Sequence, residues 1–185
     1  MTVPVASAEV RQDGREIVEI ARSWIGTPYE HQASCAGAGT DCLGLLRGIW
    51  RALYGAEPEV VPAYTPDWGE PSGDEVLLQA ARRHMSLVAP GEGRAGDAVL
   101  LRMRTGGTAK HLGILAQDRS SAWTLIHAYS GHGVVESPLT PAWSRRIVGT
   151  YRFPYRSRCW QLWFSLPPVQ RWAARWAARS PGCRC

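Results

Sequence analysis

The sequence predicts an α+β protein in which amino-terminal helices pack on one side of a small antiparallel sheet. Three segments before residue 90 carry apolar residues at the spacing of a helix. From residue 96 onward, short apolar runs alternate with turn residues instead. Helices followed by a run of strands are typical of the α+β class. With 45% hydrophobic and 20% charged residues, the composition fits a folded domain and excludes a disordered or fibrous chain.

Three helices are predicted in the first half of the chain, at 15–25, 42–54 and 74–88. Gly26 ends the first, and either Thr40 or Asp41 can cap the start of the second. A loop rich in small residues is expected at 26–40, because it holds Gly, Ala, Ser and Pro. The connection that follows Tyr54 carries four prolines, which predict an irregular path over 55–71.

Five strands are predicted in the second half of the chain. Each is a short apolar run bounded by turn residues, which predicts hairpins and therefore antiparallel pairing. The predicted strands are 98–102, 110–116, 123–129, 134–137 and 147–153.

Charge and composition divide the chain at about residue 155. Residues 1–155 hold 15 basic and 16 acidic residues, a net charge of −1, whereas 156–185 hold six arginines and no acid. We therefore expect a domain at 1–155, a basic Trp/Arg-rich tail at 156–185, and no nucleic-acid partner. A four-residue Arg-Trp repeat in the tail is compatible with an interfacial membrane segment, or with a peripheral helix or poorly ordered tail. The early acids and the missing apolar segment near the start argue against a secretory signal, so synthesis in the cytoplasm is expected.

Five cysteines, an odd number, leave at least one thiol outside any internal pair. Without an export signal a disulfide framework is not expected. No C-x-x-C spacing occurs, so a structural zinc site is not predicted.

Cys42 lies where the Gly-rich loop meets the second predicted helix. A helix start offers unpaired N–H groups and partial positive charge, which favour a thiolate that can attack a carbonyl. The same N–H groups can hold a developing oxyanion. A small buried hydrophobic role is the alternative for a cysteine at this position. Cys35, seven residues earlier, is either a redox partner or a plain free thiol.

Two histidines lie on consecutive predicted strands and can supply the proton chemistry that a cysteine nucleophile needs. His111 can take the thiol proton and return it to a leaving amine. If the strands pair antiparallel, His127 can contact His111 and fix its tautomer. Structural histidines are the alternative for each alone. His132 is a rival third residue. His31 is expected either to line the cleft near Tyr29 or to be a plain loop histidine, and His84 is expected on the surface.

Five short motifs follow one another in an order that resembles NlpC-type cysteine peptidases, which are cell-wall endopeptidases with a papain-like core. The likeness covers about residues 12–154. Three further stretches resemble the branch encoded beside phage tail genes and gene transfer agents: YEHQAS at 29–34, YTPDW at 64–68 and YRFP at 151–154. The five motifs are GTPY at 26–29, DCLGL at 41–45, GD at 96–97, HLGI at 111–114 and IHA at 126–128.

The resemblance implies a catalytic triad and two substrate-contacting residues. Cys42 would be the nucleophile, His111 the general base and acid, and His127 the orienting residue. Tyr29 would lie near the thiol and donate its hydroxyl to the oxyanion or the substrate, and Asp41 would cap the nucleophile helix or hydrogen-bond in the pocket. Leu43 departs from the pattern, because many relatives have Ser there.

The function expected from this likeness is hydrolysis of amide bonds in peptidoglycan stem peptides, with no metal or cofactor. A phage-like or gene-transfer-agent tail is the expected setting, with tail proteins as partners and the cell wall as the place of action. Two alternatives stay open. One is a structural tail-hub protein that uses the core for docking. The other is an amidase or acyltransferase with the same Cys–His chemistry.

Overall fold

A computed structural model describes residues 14–65 and 73–154, which lie in one compact unit spanning Gln12–Pro154. The predicted tail at 156–185 and its helix lie outside the described residues, so its boundary stays a prediction. Within the described part, none of the helices has the length and apolar character needed to cross a bilayer.

The described residues form four helices, and the second matches its predicted bounds. Helix α2 covers Cys42–Tyr54 because the residues on either side of it cap its two ends. The carboxylate of Asp41 caps the first turn, and Gly55, at φ 82°, closes the last turn by donating to the carbonyl of Arg51. The others are α1 (Gly14–Arg22), α3 (Val76–His84) and α4 (Pro141–Ser144). Helices α1 and α3 are shorter than predicted, and α4 was not predicted.

A six-stranded antiparallel sheet forms the second half of the fold, which confirms the α+β class. Its strands are β3 (Ser86–Leu87), β4 (Ala98–Arg102), β5 (Ala109–Gln117), β6 (Trp123–Tyr129), β7 (Gly133–Pro138) and β8 (Ile147–Arg152). Their order is β3-β8-β4-β5-β6-β7, so the last strand inserts between the first two. The five predicted strands are present, and β3 is an additional strand where the third helix was expected to continue.

The predicted loop at 26–40 contains a small hairpin instead, formed by β1 (Ser34–Cys35) and β2 (Gly39–Thr40). The hairpin is fixed to the start of α2. The hydroxyl of Ser34 donates to the carbonyl of Gly44 at 2.6 Å, and a Cβ at Gly44 would lie 1.9 Å from the carbonyl oxygen of Ala33. Residue 44 must therefore be glycine for the hairpin to pack this closely against the helix that begins with Cys42.

Apolar side chains cover both faces of the sheet. Strand β5 sends Leu112, Ile114 and Ala116 into the main core with the helices. The alternate positions face the other side, where Leu115 joins a smaller cluster that includes Trp143. His111 and His127 occupy this second side by the same alternation. The smaller cluster comprises Val99, Leu101, Leu115 and Leu125, with Leu139, Trp143 and Ile147 packed against it.

Candidate active site

Cys42 is the first residue of α2 and is half-buried. Its Sγ lies 3.9 Å from the carbonyl oxygen of Lys110 in β5. Backbone N–H groups of Leu112, Leu43 and Cys42 itself act on the sulfur and favour its ionised form. The thiol is thus placed between the start of a helix and the first residues of the strand that carries His111.

A cavity of about 70 Å³ opens beside the sulfur. The hairpin region, the start of α2, the proline-rich connection and the start of β5 all contribute to its wall. Its lining residues are Tyr29, His31, Asp41, Cys42, Leu43, Tyr64, Thr65, Leu77 and Lys110.

His111 and His127 form a buried pair. Nε2 of His111 lies 2.8 Å from Nδ1 of His127, and Nε2 of His127 lies 3.4 Å from the hydroxyl of Ser137. Two tautomer arrangements satisfy this chain of contacts. In one of them both rings carry hydrogen on Nε2, which leaves Nδ1 of His111 unprotonated and able to act as a base.

Trp143 covers the imidazole pair. Its ring centroid lies 4.9 Å from that of His127 and 6.0 Å from that of His111. The guanidinium of Arg146 stacks 5.6 Å from the centre of the indole. The short helix α4 positions this cover, because Thr140 caps it through the backbone N–H of Trp143.

Burial favours the uncharged forms of the three predicted catalytic side chains. It raises the pKa of the Cys42 thiol to about 12, with the nearby charge of Asp41 as a second cause. It lowers the pKa of His111 to about 3, helped by His127, and that of His127 to about 4. Loss of hydration thus opposes the thiolate expected at the helix start, whereas the N–H groups around the sulfur favour it.

The thiol and the imidazole of His111 approach the start of β5 from different sides. Lys110 lines the cavity at Cys42, while the next residue, His111, packs under Trp143. Among residues 14–65 and 73–154, no hydrogen bond joins Sγ to an imidazole nitrogen. The structure thus brings the two histidines into contact and places the sulfur beside the backbone that carries one of them.

Tyr29 and Asp41 both lie at the cavity. Tyr29 forms a single β-bridge with Thr40, which places it beside the start of α2. Burial first, and then the charges of Cys42 and Asp41, raise the pKa of its hydroxyl, so the group stays protonated and can donate. Asp41 is 2% exposed and accepts from the backbone N–H of Gly44 at 2.7 Å.

Tyr64 and Trp143 both contribute to the site, and neither was singled out as a site residue in the sequence. Tyr64 reaches the cavity from the proline-rich connection, and its hydroxyl donates to Oδ2 of Asp41 at 2.6 Å. Trp143 covers the histidine pair. The motif that begins at Tyr64 was a signal for the first residue, whereas nothing local to the sequence marks the second.

The remaining candidates occupy other positions. His132 is exposed, and its ring stacks on that of Tyr129 with the centroids 5.6 Å apart. His31 lines the cavity. His84, expected at the surface, is half-buried and lies 3.1 Å from Glu59. Cys35 is an exposed free thiol. Within the described ranges, no three His, Cys, Asp or Glu side chains are arranged to hold a metal ion.

No protein-family model and no curated protein sequence match the chain. Solved structures do match. An NlpC/P60 family protein from Bacillus cereus ATCC 10987 has a TM-score of 0.53 and 19% identity, over 78% of this chain and 41% of that one. A protein from Staphylococcus aureus subsp. aureus Mu50, described as similar to lipoprotein of the NLP/P60 family, has a TM-score of 0.54 and 17% identity, over 82% and 45%.

NlpC1 from Trichomonas vaginalis is similar as well, with a TM-score of 0.51 and 17% identity over 83% of this chain and 47% of that one. The chain therefore spans less than half the length of each of these three proteins. At such identities the likeness concerns the fold, and it shows that this chain has the papain-like fold of NlpC/P60 proteins.

Proposed function

We propose that the protein is a cysteine peptidase that hydrolyses amide bonds in peptidoglycan stem peptides. The observation that carries the proposal is the buried pair of His111 on β5 and His127 on β6, with the sulfur of Cys42 beside the backbone of β5. A cysteine at a helix start, a base on a neighbouring strand and a group that orients the base are the parts that thiol acyl transfer requires. The NlpC/P60 fold supports the cell-wall substrate.

The reaction starts from an uncharged thiol and an uncharged imidazole. The step requires Nδ1 of His111 to reach the sulfur in the substrate complex, where it takes the thiol proton as Sγ attacks the amide carbonyl. The carbonyl oxygen becomes an oxyanion. The C–N bond then breaks, the leaving amine takes the proton from His111, and a thioester joins the acyl group to Cys42. Water attacks the thioester, passes a proton to His111, and the released thiolate recovers it.

Tyr29 and the backbone around the sulfur are suited to hold the oxyanion. The Tyr29 hydroxyl remains a donor, because burial and the neighbouring negative charges raise its pKa. The backbone N–H groups of Leu112, Leu43 and Cys42 act on the sulfur, next to where the carbonyl would be attacked. Donors fixed in a partly dehydrated site stabilise a developing charge more than water does.

The test is digestion of isolated sacculi by the purified protein, followed by mass spectrometry of the released muropeptides. The wild-type chain and the Cys35→Ala control should release cut stem peptides, and Cys42→Ala should release none. An identical profile for wild type and Cys42→Ala would overturn the proposal and favour a docking role. Glycan strands freed of whole peptides would instead indicate an amidase, and transfer of the acyl group to an added amine would indicate an acyltransferase.

The proposed setting is the tail of a phage or gene transfer agent, where the enzyme would open the wall locally. The support is the resemblance of three sequence stretches, of which the stretch beginning at Tyr64 includes a residue at the cavity. Co-purification of the protein with tail particles would support this setting. Particles that lack the protein would contradict it.

A further inference from the structure

The carboxylate of Asp41 is held by donors on several sides. Oδ1 accepts from the backbone N–H of Gly44, and Oδ2 accepts from the backbone N–H of Gln32 at 2.7 Å and from the hydroxyl of Tyr64 at 2.6 Å. Two of these donors come from the helix and the hairpin region, which are parts of the core fold. Tyr64 comes from the proline-rich connection, 23 residues along the chain.

His31 holds Tyr64 in this position from two directions. Its Nε2 donates to the carbonyl oxygen of Tyr64 at 2.8 Å, because a carbonyl can only accept. The two rings meet edge to face with centroids 5.0 Å apart. Nδ1 of His31 also lies 3.5 Å from Oδ2 of Asp41. The hydroxyl of Tyr64 is therefore directed at the carboxylate by contacts to both its backbone and its ring.

Asp41 precedes the nucleophile in the chain, and its charge opposes ionisation of the Cys42 thiol. A hydrogen bond from Tyr64 draws negative charge toward the hydroxyl and so weakens that opposition. We infer that Tyr64 is a positioning residue that acts through Asp41 to set the reactivity of the Cys42 thiol. This inference rests on the proposed function only in taking Cys42 as the nucleophile.

Other charged or titratable groups face the same space and must stay constant in the test. Tyr29 and Lys110 line the cavity with the thiol, and His111 lies on the adjoining strand. Arg47 acts on the hydroxyl of Tyr64 and favours its ionisation. None of these residues is changed in the variants below, so a difference between variants reports on Tyr64 and Asp41.

The experiment follows alkylation of Cys42 by iodoacetamide as a function of pH, with each cysteine resolved by peptide mass spectrometry. It compares the wild type, Tyr64→Phe, Asp41→Asn and the double variant. Tyr64→Phe keeps the ring and removes only the donor, so the apparent pKa of Cys42 should rise by about half a pH unit, which slows alkylation about threefold below that pKa. Asp41→Asn keeps the helix cap and removes the charge, so the apparent pKa should fall.

The double variant decides whether Tyr64 acts through Asp41. It should behave like Asp41→Asn alone, because without the carboxylate the hydroxyl has no charge to modulate. An unchanged pH profile in Tyr64→Phe would overturn the inference. A shift of equal size with and without Asp41 would overturn it as well. If Asp41→Asn fails to fold, the single variant Tyr64→Phe still tests the inference.

Two controls separate this role from a general structural one. Tyr54→Phe removes a hydroxyl that donates to the carbonyl of Pro154, away from the cavity, and should leave the Cys42 profile unchanged. Cys35 serves as an internal reference, since it is an exposed thiol in every variant. Alkylation needs no peptide substrate. A failure to digest sacculi would therefore refute the proposed function without affecting this result.

Discussion

Nε2 of His111 lies 2.8 Å from Nδ1 of His127, although the two residues are 16 positions apart on different strands. Strands β5 and β6 pair in antiparallel register, and at Gly113 a Cβ would lie only 3.0 Å from the Cβ of His127. The missing side chain at 113 opens the space in which the two rings meet. This contact makes His127 suited to fix the tautomer of His111, and it leads to the first two predictions.

Replacing His127 by alanine should lower the rate of stem-peptide cleavage about a hundredfold, because His111 then loses the group that orients its ring. His127→Asn, which keeps an acceptor, should retain more activity than His127→Ala. His132→Ala is the matched control and should cleave at the wild-type rate, since its ring stacks on Tyr129. Equal losses in His127→Ala and His132→Ala would contradict the assignment of the orienting role.

Replacing Gly113 by alanine should separate the two imidazoles. The new Cβ would lie 2.9 Å from the carbonyl oxygen of Ile126, so the backbone of β6 must shift. We expect a loss of about 1–3 kcal/mol in the free energy of unfolding, and a fall in activity of more than tenfold. Urea unfolding and muropeptide release measure the two effects.

Gly93→Ala is the control for that substitution. Its added Cβ would meet Leu115 at 3.4 Å, which is an ordinary contact. Stability should change by less than about 0.5 kcal/mol, with activity retained. If Gly113→Ala were as stable and as active as Gly93→Ala, residue 113 would not be what lets the histidines meet.

The sequence predicted those elements whose ends are determined by neighbouring residues in the chain. Asp41 caps the start of helix α2 and Gly55 ends it, and both residues lie directly beside the helix in the sequence. The hairpin formed by Ser34–Cys35 and Gly39–Thr40 was missed, because its strands are two residues long and show no apolar alternation. Helix α3 ends at His84 and a strand follows, so tertiary pairing with β8 overrides a helical pattern there.

Contacts between consecutive strands of the site could be predicted from the sequence. Contacts between segments joined by an irregular connection could not. The contact between His111 and His127 needed only the antiparallel pairing of two consecutive strands. The hydrogen bond from Tyr64 to Asp41 was not predictable, because Tyr64 lies in an irregular connection whose sequence has no helical or strand periodicity. Charge states were also beyond the sequence, because the pKa of Cys42 depends on burial that only the packed structure defines.

Trp143 should control the proton affinity of the histidine pair. Burial lowers the pKa values of His111 and His127, and the indole forms part of that burial. Trp143→Ala should therefore raise both titration midpoints toward the ordinary value of about 6.5. Histidine proton resonances followed by NMR from pH 3 to 8 measure the change, and Trp143→Phe should show a smaller one. Unchanged titration midpoints of both histidines in Trp143→Ala would show that the indole does not cause the lowered pKa values.

The histidine pair should also make the folded state less stable in acid. The pKa of His127 is about 4 when folded and about 6.5 when unfolded, and that of His111 is lower still. Below pH 6.5 the unfolded chain binds protons that the folded chain does not, so the free energy of unfolding falls as the pH falls from 6.5 to 4.

His127→Asn removes one such group and should reduce that fall by up to about 3 kcal/mol. Urea unfolding at several pH values measures it, with the exposed His132→Asn as the control that should follow the wild type. Parallel pH profiles for wild type and His127→Asn would mean that His127 is not held uncharged in the folded protein.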